Sequence, residues 1–114
     1  MDAMKDRIDL DEVFKKDFDL EKEYGGCTQA VLVTLQEYFP EITDDAIKAG
    51  YSLAGGSGLS SKGTCGALAG GLMAISSLMG RPKEGFGNER EYRNAYRLSI
   101  KLVKKFEEEY GSIR

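Results

Sequence analysis

The sequence predicts an all-α protein: a single-domain bundle of about five helices, with a glycine-rich loop before the central helix. Three observations carry this. No segment alternates apolar and polar residues with the period of two that a half-buried strand requires. Apolar residues instead recur at three- and four-residue spacing through most of the chain. Helix breakers and caps divide those runs at "YGGC", "FPEITDD", "GGSGLSSKG" and "GRP".

The first helix is expected over about residues 9–23, with Leu10, Val13, Phe14 and Phe18 on its inward face. Gly25 and Gly26 end it. A second helix runs from there to about Tyr38, stopped by Pro40, and its apolar face carries Cys27, Ala30, Val31, Leu35 and Tyr38. Thr43 is a good N-cap for the third, and Asp44 and Asp45 suit the positive end of the helix dipole. That helix should carry Ile47, Tyr51 and Leu53 as far as the loop at 55–63.

The fourth helix is expected to start at a capping Thr64 and end near Gly80, presenting Cys65, Leu68, Leu72, Ile75 and Met79 inward. Gly66, Gly70 and Gly71 each weaken a helix by up to about 1 kcal/mol relative to alanine. Three together imply that another backbone packs closely against it. The fifth and longest helix should run from about Glu89 to Tyr110, opened by an Asn88–Glu91 capping box. Its core-facing stripe reads Tyr92, Tyr96, Ser99, Val103, Phe106 and Tyr110.

The chain of 114 residues suits one domain over 1–114, and 41% hydrophobic with 31% charged residues places it among globular proteins. A net charge of -3 with mixed signs speaks against a nucleic-acid partner, which needs a basic face. "MDAMKDRIDLDEVFKK" lacks the apolar core of a signal peptide, and Thr64 to Gly80 is too short and too glycine-rich to span a bilayer. The expected location is cytoplasmic. With no histidine, Cys/His and Ser/His nucleophile pairs, histidine-ligated zinc and CxxCH haem attachment are excluded. The loop at 55–63 is no Walker sequence, since no Gly-Lys-Ser/Thr follows its glycines. The carboxylate pairs, Asp44 with Asp45 and the run Glu107–Glu109, belong to helix ends and solvated faces rather than to acid–base chemistry.

Two cysteines remain, Cys27 and Cys65, each after a glycine-containing turn at the expected start of a helix. A helix start offers unpaired N–H groups and partial positive charge, which favour a thiolate, the reactive form of the side chain. Lys22 and Lys62 lie nearby in sequence. Gly25, Gly26, Gly63 and Gly66 would let backbone and ligand approach a sulfur. The alternative is packing, since free cysteine is among the most buried residue types and both positions lie on apolar faces. Neither cysteine belongs to a CxxC pair, and the sequence does not show whether they meet.

"CGALAG" at 65–70 has the form C-G-A-x-x-G. With the loop before it, it resembles the signature of the small redox-active proteins named for the C_GCAxxG_C_C pattern. "GGCTQAVLVTLQEYF" is similar to that family's first cysteine and its helix, and "KLVKKFEEEYGSIR" to the stretch before its third. The resemblance covers about residues 24–114. It implies a helical protein with a redox role, with Cys27 matching the first cysteine and Cys65 the second. Two further cysteines would follow "GSIR", so the full-length protein is expected to continue past Arg114. A protein ending there would have no four-thiolate site within one subunit. The resemblance also implies a partner: a redox protein, or a transporter or oxidoreductase system in the membrane.

Three functions follow as expectations. The first is thiol–disulfide exchange or electron transfer, with Cys65 attacking or ligating, Cys27 resolving, and Gly63, Thr64, Gly66 and Gly70 supporting that helix start. The second is a metal or iron–sulfur site with Cys27 and Cys65 as two of its ligands. The third is a non-enzymatic helical adaptor with both cysteines in the core. No cofactor is required by the residues themselves, phosphate binding at the fourth helix start is a lesser alternative, and a homodimer is compatible with the glycine-studded helix.

Overall fold

The computed structural model describes residues 10–114, and among these it is all helical with no strand. Five α-helices follow one another: α1 Leu10–Tyr24, α2 Cys27–Gln36, α3 Asp44–Ala49, α4 Gly66–Met79 and α5 Arg93–Tyr110. Short 3-10 turns occupy Tyr51–Leu53, Lys83–Gly85 and Glu89–Tyr92. No helix among the described residues is long and apolar enough to cross a membrane. The expected start of the first helix at residue 9 lies outside the described residues.

α2 and α4 form the central pair. α1 and α3 pack on α2, and α5 packs on α4. α2 buries Thr28, Ala30, Leu32 and Thr34, so polar as well as apolar side chains line its covered surface. Thr34 meets this burial by donating its hydroxyl to the Ala30 carbonyl at 2.8 Å, the back-bonding available to a helical threonine. Leu32, Ile42 and Ala74 are the centre of the core, with Leu35, Phe39, Ile47 and Met73 packed around them.

The glycines of α4 work as the sequence implied. A methyl group on Gly70 would lie 2.9 Å from the Thr28 carbonyl oxygen and 3.0 Å from Val31 Cβ, and one on Gly71 would lie 3.0 Å from Leu102. α4 thus lies close to α2 on one side and to α5 on the other. Gly50 ends α3 for a similar reason: a side chain there would press on Thr28, Leu32 and Met73.

Several expected faces and boundaries are corrected. α1 turns Phe14 and Phe18 outward, 73% and 55% exposed; Val13 is half-buried as expected, and Lys16, Asp17, Leu20 and Glu21 join it in place of the two phenylalanines. A salt bridge from Lys16 to Glu37 ties this face to the end of α2. α2 stops at Gln36, where the Leu35 carbonyl takes the N–H groups of both Tyr38 and Phe39 in a turn. Thr43 caps α3, accepting from the Ala46 N–H at 3.2 Å. That helix ends at Ala49 rather than reaching Leu53, and Tyr51 is exposed.

On α4, Leu68 is buried but Met79 reaches solvent. On α5 the half-buried stripe is Tyr92, Ala95, Ser99, Leu102, Val103 and Phe106, while Tyr96 and Tyr110 point away. The four-residue step from Tyr92 to Tyr96 overshoots the contact line, and Ala95 takes that place. Asn88 does not cap: its amide donates to the Glu91 carboxylate at 2.6 Å, and Glu89–Tyr92 forms a 3-10 turn before α5 starts at Arg93.

Asp17 is the one perturbed acid on α1. Its Oδ1 is buried without a hydrogen-bond partner. Burial first, then the charge of Glu21 one turn on and a hydrogen bond with it, push its pKa from 3.8 up to about 6. The folded protein therefore holds this proton more tightly than the unfolded chain. The contribution of this group to stability is complete below about pH 3.8, declines as pH rises toward about 6, and is flat above. Asp17→Asn should raise the urea midpoint at neutral pH and give no gain below the unfolded pKa, as a urea titration at several pH values would show.

Candidate functional site

The site begins with the turn between α1 and α2. The Gly25 N–H closes α1 onto the Glu21 carbonyl at 2.8 Å. Gly25 and Gly26 then both take left-handed conformations, φ 71° and 74°, which cost a side-chain-bearing residue free energy. This two-residue reversal leaves no slack, and it fixes Cys27 as the first residue of α2.

The second wall is the loop before α4. Gly55, Gly56, Ser57, Gly58, Leu59 and Ser61 all have positive φ. Hydrogen bonds from Gly58 N–H to Ser52 O, Ser61 N–H to Gly55 O and Gly63 N–H to Gly56 O hold the coil closed. Gly63 belongs to that closure, because a side chain there would meet the Gly56 carbonyl at 2.7 Å. Cys65, not Thr64, is the N-cap of α4, with extended ψ of 135° and its carbonyl accepting from Ala69 N–H at 2.9 Å. Thr64 is half-buried one residue outside the helix.

The two helix starts meet. Cys27 Sγ lies in the space that Gly66 leaves open, so close that a methyl on Gly66 would overlap it. Thr28, fully buried, donates its hydroxyl to the Gly66 carbonyl at 2.9 Å. The Ala54 backbone closes a third side, with its Cα 3.3 Å from where a Gly66 Cβ would stand. The C-terminal segment closes a fourth. Gly111, at φ 75°, reverses the chain after α5, and the Ile113 carbonyl accepts the Cys65 N–H.

Cys27 and Cys65 are both free thiols and half-buried. The Cys27 sulfur lies against the residue next to Cys65, so the two helix starts adjoin, which spacing alone left open. The position that faces the Cys27 sulfur is residue 66, one past Cys65. The Cys65 N–H is already taken by Ile113 and is not available to a thiolate, so any N–H support at this helix start falls to Gly66 and the residues after it. Lys22 and Lys62 are exposed, and among the described residues neither forms a hydrogen bond or ion pair with a sulfur. Gly70 lies a turn deeper, in the α2–α4 contact. Among the described residues no three Cys, Asp or Glu side chains gather as a metal-ligand set. Two thiols cannot complete a tetrahedral site by themselves.

Sequence reasoning missed Thr28, Ala54 and Ile113. Thr28 is legible in retrospect as a hydroxyl in the first turn of a helix, next to Cys27. Ile113 is the one apolar residue in "GSIR". Nothing local marks Ala54.

A family model described as "Putative redox-active protein (C_GCAxxG_C_C)" matches residues 26–114, well over half of the chain. No curated protein and no solved structure matches. The pattern in that description reads G-C-A-x-x-G, whereas this chain has Cys65-Gly66-Ala67-Leu68-Ala69-Gly70. Placing Ala67 and Gly70 on the alanine and the last glycine of the pattern puts Gly66 where its cysteine stands and Cys65 on its first glycine. This chain carries the two residues in exchanged order. The geometry agrees with that register, since it is position 66 that Cys27 faces.

Two expectations test this junction. Gly66→Ala should cost about 2 kcal/mol by overpacking, and Cys27→Ala in the same chain should recover at least half of that by removing the overlapping sulfur. A double-mutant cycle in urea measures the coupling. Gly66→Cys should form a disulfide with Cys27 in air, leaving Cys65 as the sole alkylatable thiol by intact mass.

Proposed function

The chain belongs to the C_GCAxxG_C_C family of redox-active proteins, and from that premise we propose that it performs thiol–disulfide exchange through Cys65 and Cys27. The observation that supports the reading best is the position of the Cys27 sulfur against Gly66, one residue from Cys65, with both thiols free and partly accessible. Two thiols at one helix junction provide an attacking group and a resolving group without a CxxC motif.

In this reading the Cys65 thiolate attacks one sulfur of a substrate disulfide. A Cys65–substrate disulfide forms, and the other substrate sulfur leaves as a thiolate. Cys27 then attacks Cys65 Sγ, a Cys27–Cys65 disulfide forms, and the second substrate thiolate leaves. The substrate disulfide has gained two electrons and the protein has lost two. A dithiol reductant restores the free thiols by the reverse exchange. We place that reductant on a partner protein, within a membrane transport or oxidoreductase system of the kind the family resemblance implies.

Glycines suit this cycle. Gly66 puts no Cβ against the Cys27 sulfur, and a side chain on Gly25, two residues before Cys27, would meet nothing within 4 Å. Thr28 and the Ala54 backbone pack against Gly66 and hold the two helix starts together.

The test is intact mass spectrometry of this 114-residue chain, with its two cysteines, after alkylation, with and without reductant, before and after an equimolar small disulfide. The expected result is two labels on the reduced protein, none after the disulfide, and two again after reductant. Cys65→Ser should abolish reduction of the disulfide, and Cys27→Ser should trap the mixed disulfide as an added mass on Cys65. Unchanged activity in Cys65→Ser, or thiols that label only on denaturation, would overturn the proposal.

A further inference from the structure

Next to the thiols lies a space that the exchange reaction does not use. A cleft of ≈ 700 Å³ opens between the C-terminal half of α1, the outer side of α2 and the segment from Tyr51 to Leu59. Leu20, Tyr24, Gln29, Val33, Tyr51 and Leu59 give it its character. Its volume falls in the range of about 300–1,000 Å³ usual for small-ligand sites.

Four observations bear on what it holds. Although 31% of the chain is charged, no Asp, Glu, Lys or Arg among the described residues lines the cleft. Its rim keeps large apolar side chains in water: Tyr24 is 75% exposed, Tyr51 70% and Leu59 80%. Leu59 is held there in a left-handed conformation, φ 58°, a strained geometry for a non-glycine residue that places its side chain at the mouth rather than in the core. Gln29 supplies one polar group; its Nε2 already donates to the Ile47 carbonyl at 3.0 Å, which leaves its carbonyl oxygen as an acceptor.

The cleft also shares a wall with the thiol junction. Gly26, which precedes Cys27, and Ala54, whose backbone lies against the Gly66 position, line it. A molecule seated in the cleft is therefore separated from the Cys27 sulfur by the thickness of this wall.

We propose that the cleft binds an uncharged small molecule with a ring that packs between Tyr24 and Tyr51 and a donor group for Gln29. Such a ligand leaves no charge unpaired in an uncharged site and covers apolar surface that water now wets. The two rings flank it as stacking partners. Its role as the body of the disulfide substrate rests on the thiol-exchange reading; the binding itself does not.

The experiment separates the two. The Cys27→Ser, Cys65→Ser double variant of this 114-residue chain, which has no thiol left to react, is titrated with 2,2′-dipyridyl disulfide, an uncharged aromatic disulfide, and followed by NMR. The dianionic 5,5′-dithiobis(2-nitrobenzoate) is the comparison. The expected result is saturable shifts confined to cleft residues, at least tenfold tighter for the uncharged probe. Ser52→Trp, at an exposed position on the rim, should weaken binding at least tenfold with the melting temperature unchanged, and Tyr24→Ala, also exposed, should weaken it without filling the cleft.

No saturable shift, shifts elsewhere, equal affinity for the two probes, or full binding by both rim variants would overturn the inference. So would a concentration-dependent dimer that Ser52→Trp dissociates, since the cleft would then belong to a second copy of the chain. The wild-type protein incubated with the same disulfide tests exchange separately. Binding without exchange keeps the cleft and removes the redox reading, and exchange without binding does the reverse.

Discussion

The structure depends on the close approach of α2 and α4. Helix axes lie about 8–10 Å apart when ordinary side chains intervene; here glycine at positions 66 and 70 removes the spacer, and the Thr28 side chain and carbonyl occupy the gap. The cysteine junction follows from this approach, because the helix starts converge only if the helix bodies do. Three glycines in one helix weaken it intrinsically, so α4 persists by virtue of its neighbours, and its integrity and that of the junction are the same property. Gly50 extends the arrangement by letting the end of α3 settle on Thr28, Leu32 and Met73.

The large apolar side chains of the outer helices are distributed otherwise. α1 and α5 rest on the central pair through half-buried residues and turn Phe14, Phe18, Tyr96 and Ile100 to solvent. This is where the sequence misled most. Three- and four-residue spacing marks an apolar face, but it does not say whether that face meets the protein's own core. On α1, Lys16 and Asp17 occupy positions nearer the contact than Phe14 and Phe18. On α5, Tyr96 loses to Ala95, since the smaller residue fits the helix contact.

Helix number, order and the meaning of the α4 glycines were legible because they are written in local chemistry: the Gly25–Gly26 pair as a break, Thr43 as a cap and Gly80 as a stop. Capping was less so. Thr64 and Asn88 are good caps by composition, yet the loop at 55–63 delivers Cys65 to the cap position and the Glu91 carboxylate captures the Asn88 amide. The two cysteines were visible at two helix starts, but that these starts adjoin is a long-range fact carried by Gly66. The contribution of Ile113 is longer in range still.

That last contact changes what kind of group Cys65 is. A residue capping a helix usually takes its character from its own turn, but this one has its backbone amide tied to the last few residues of α5's exit. That hydrogen bond lies outside the α4 ladder and lasts only while the segment after Gly111 stays docked, so the Cys65 amide should exchange its hydrogen at the pace of that docking rather than of α4. The backbone at the start of α4 is thus held by a residue from far along the sequence.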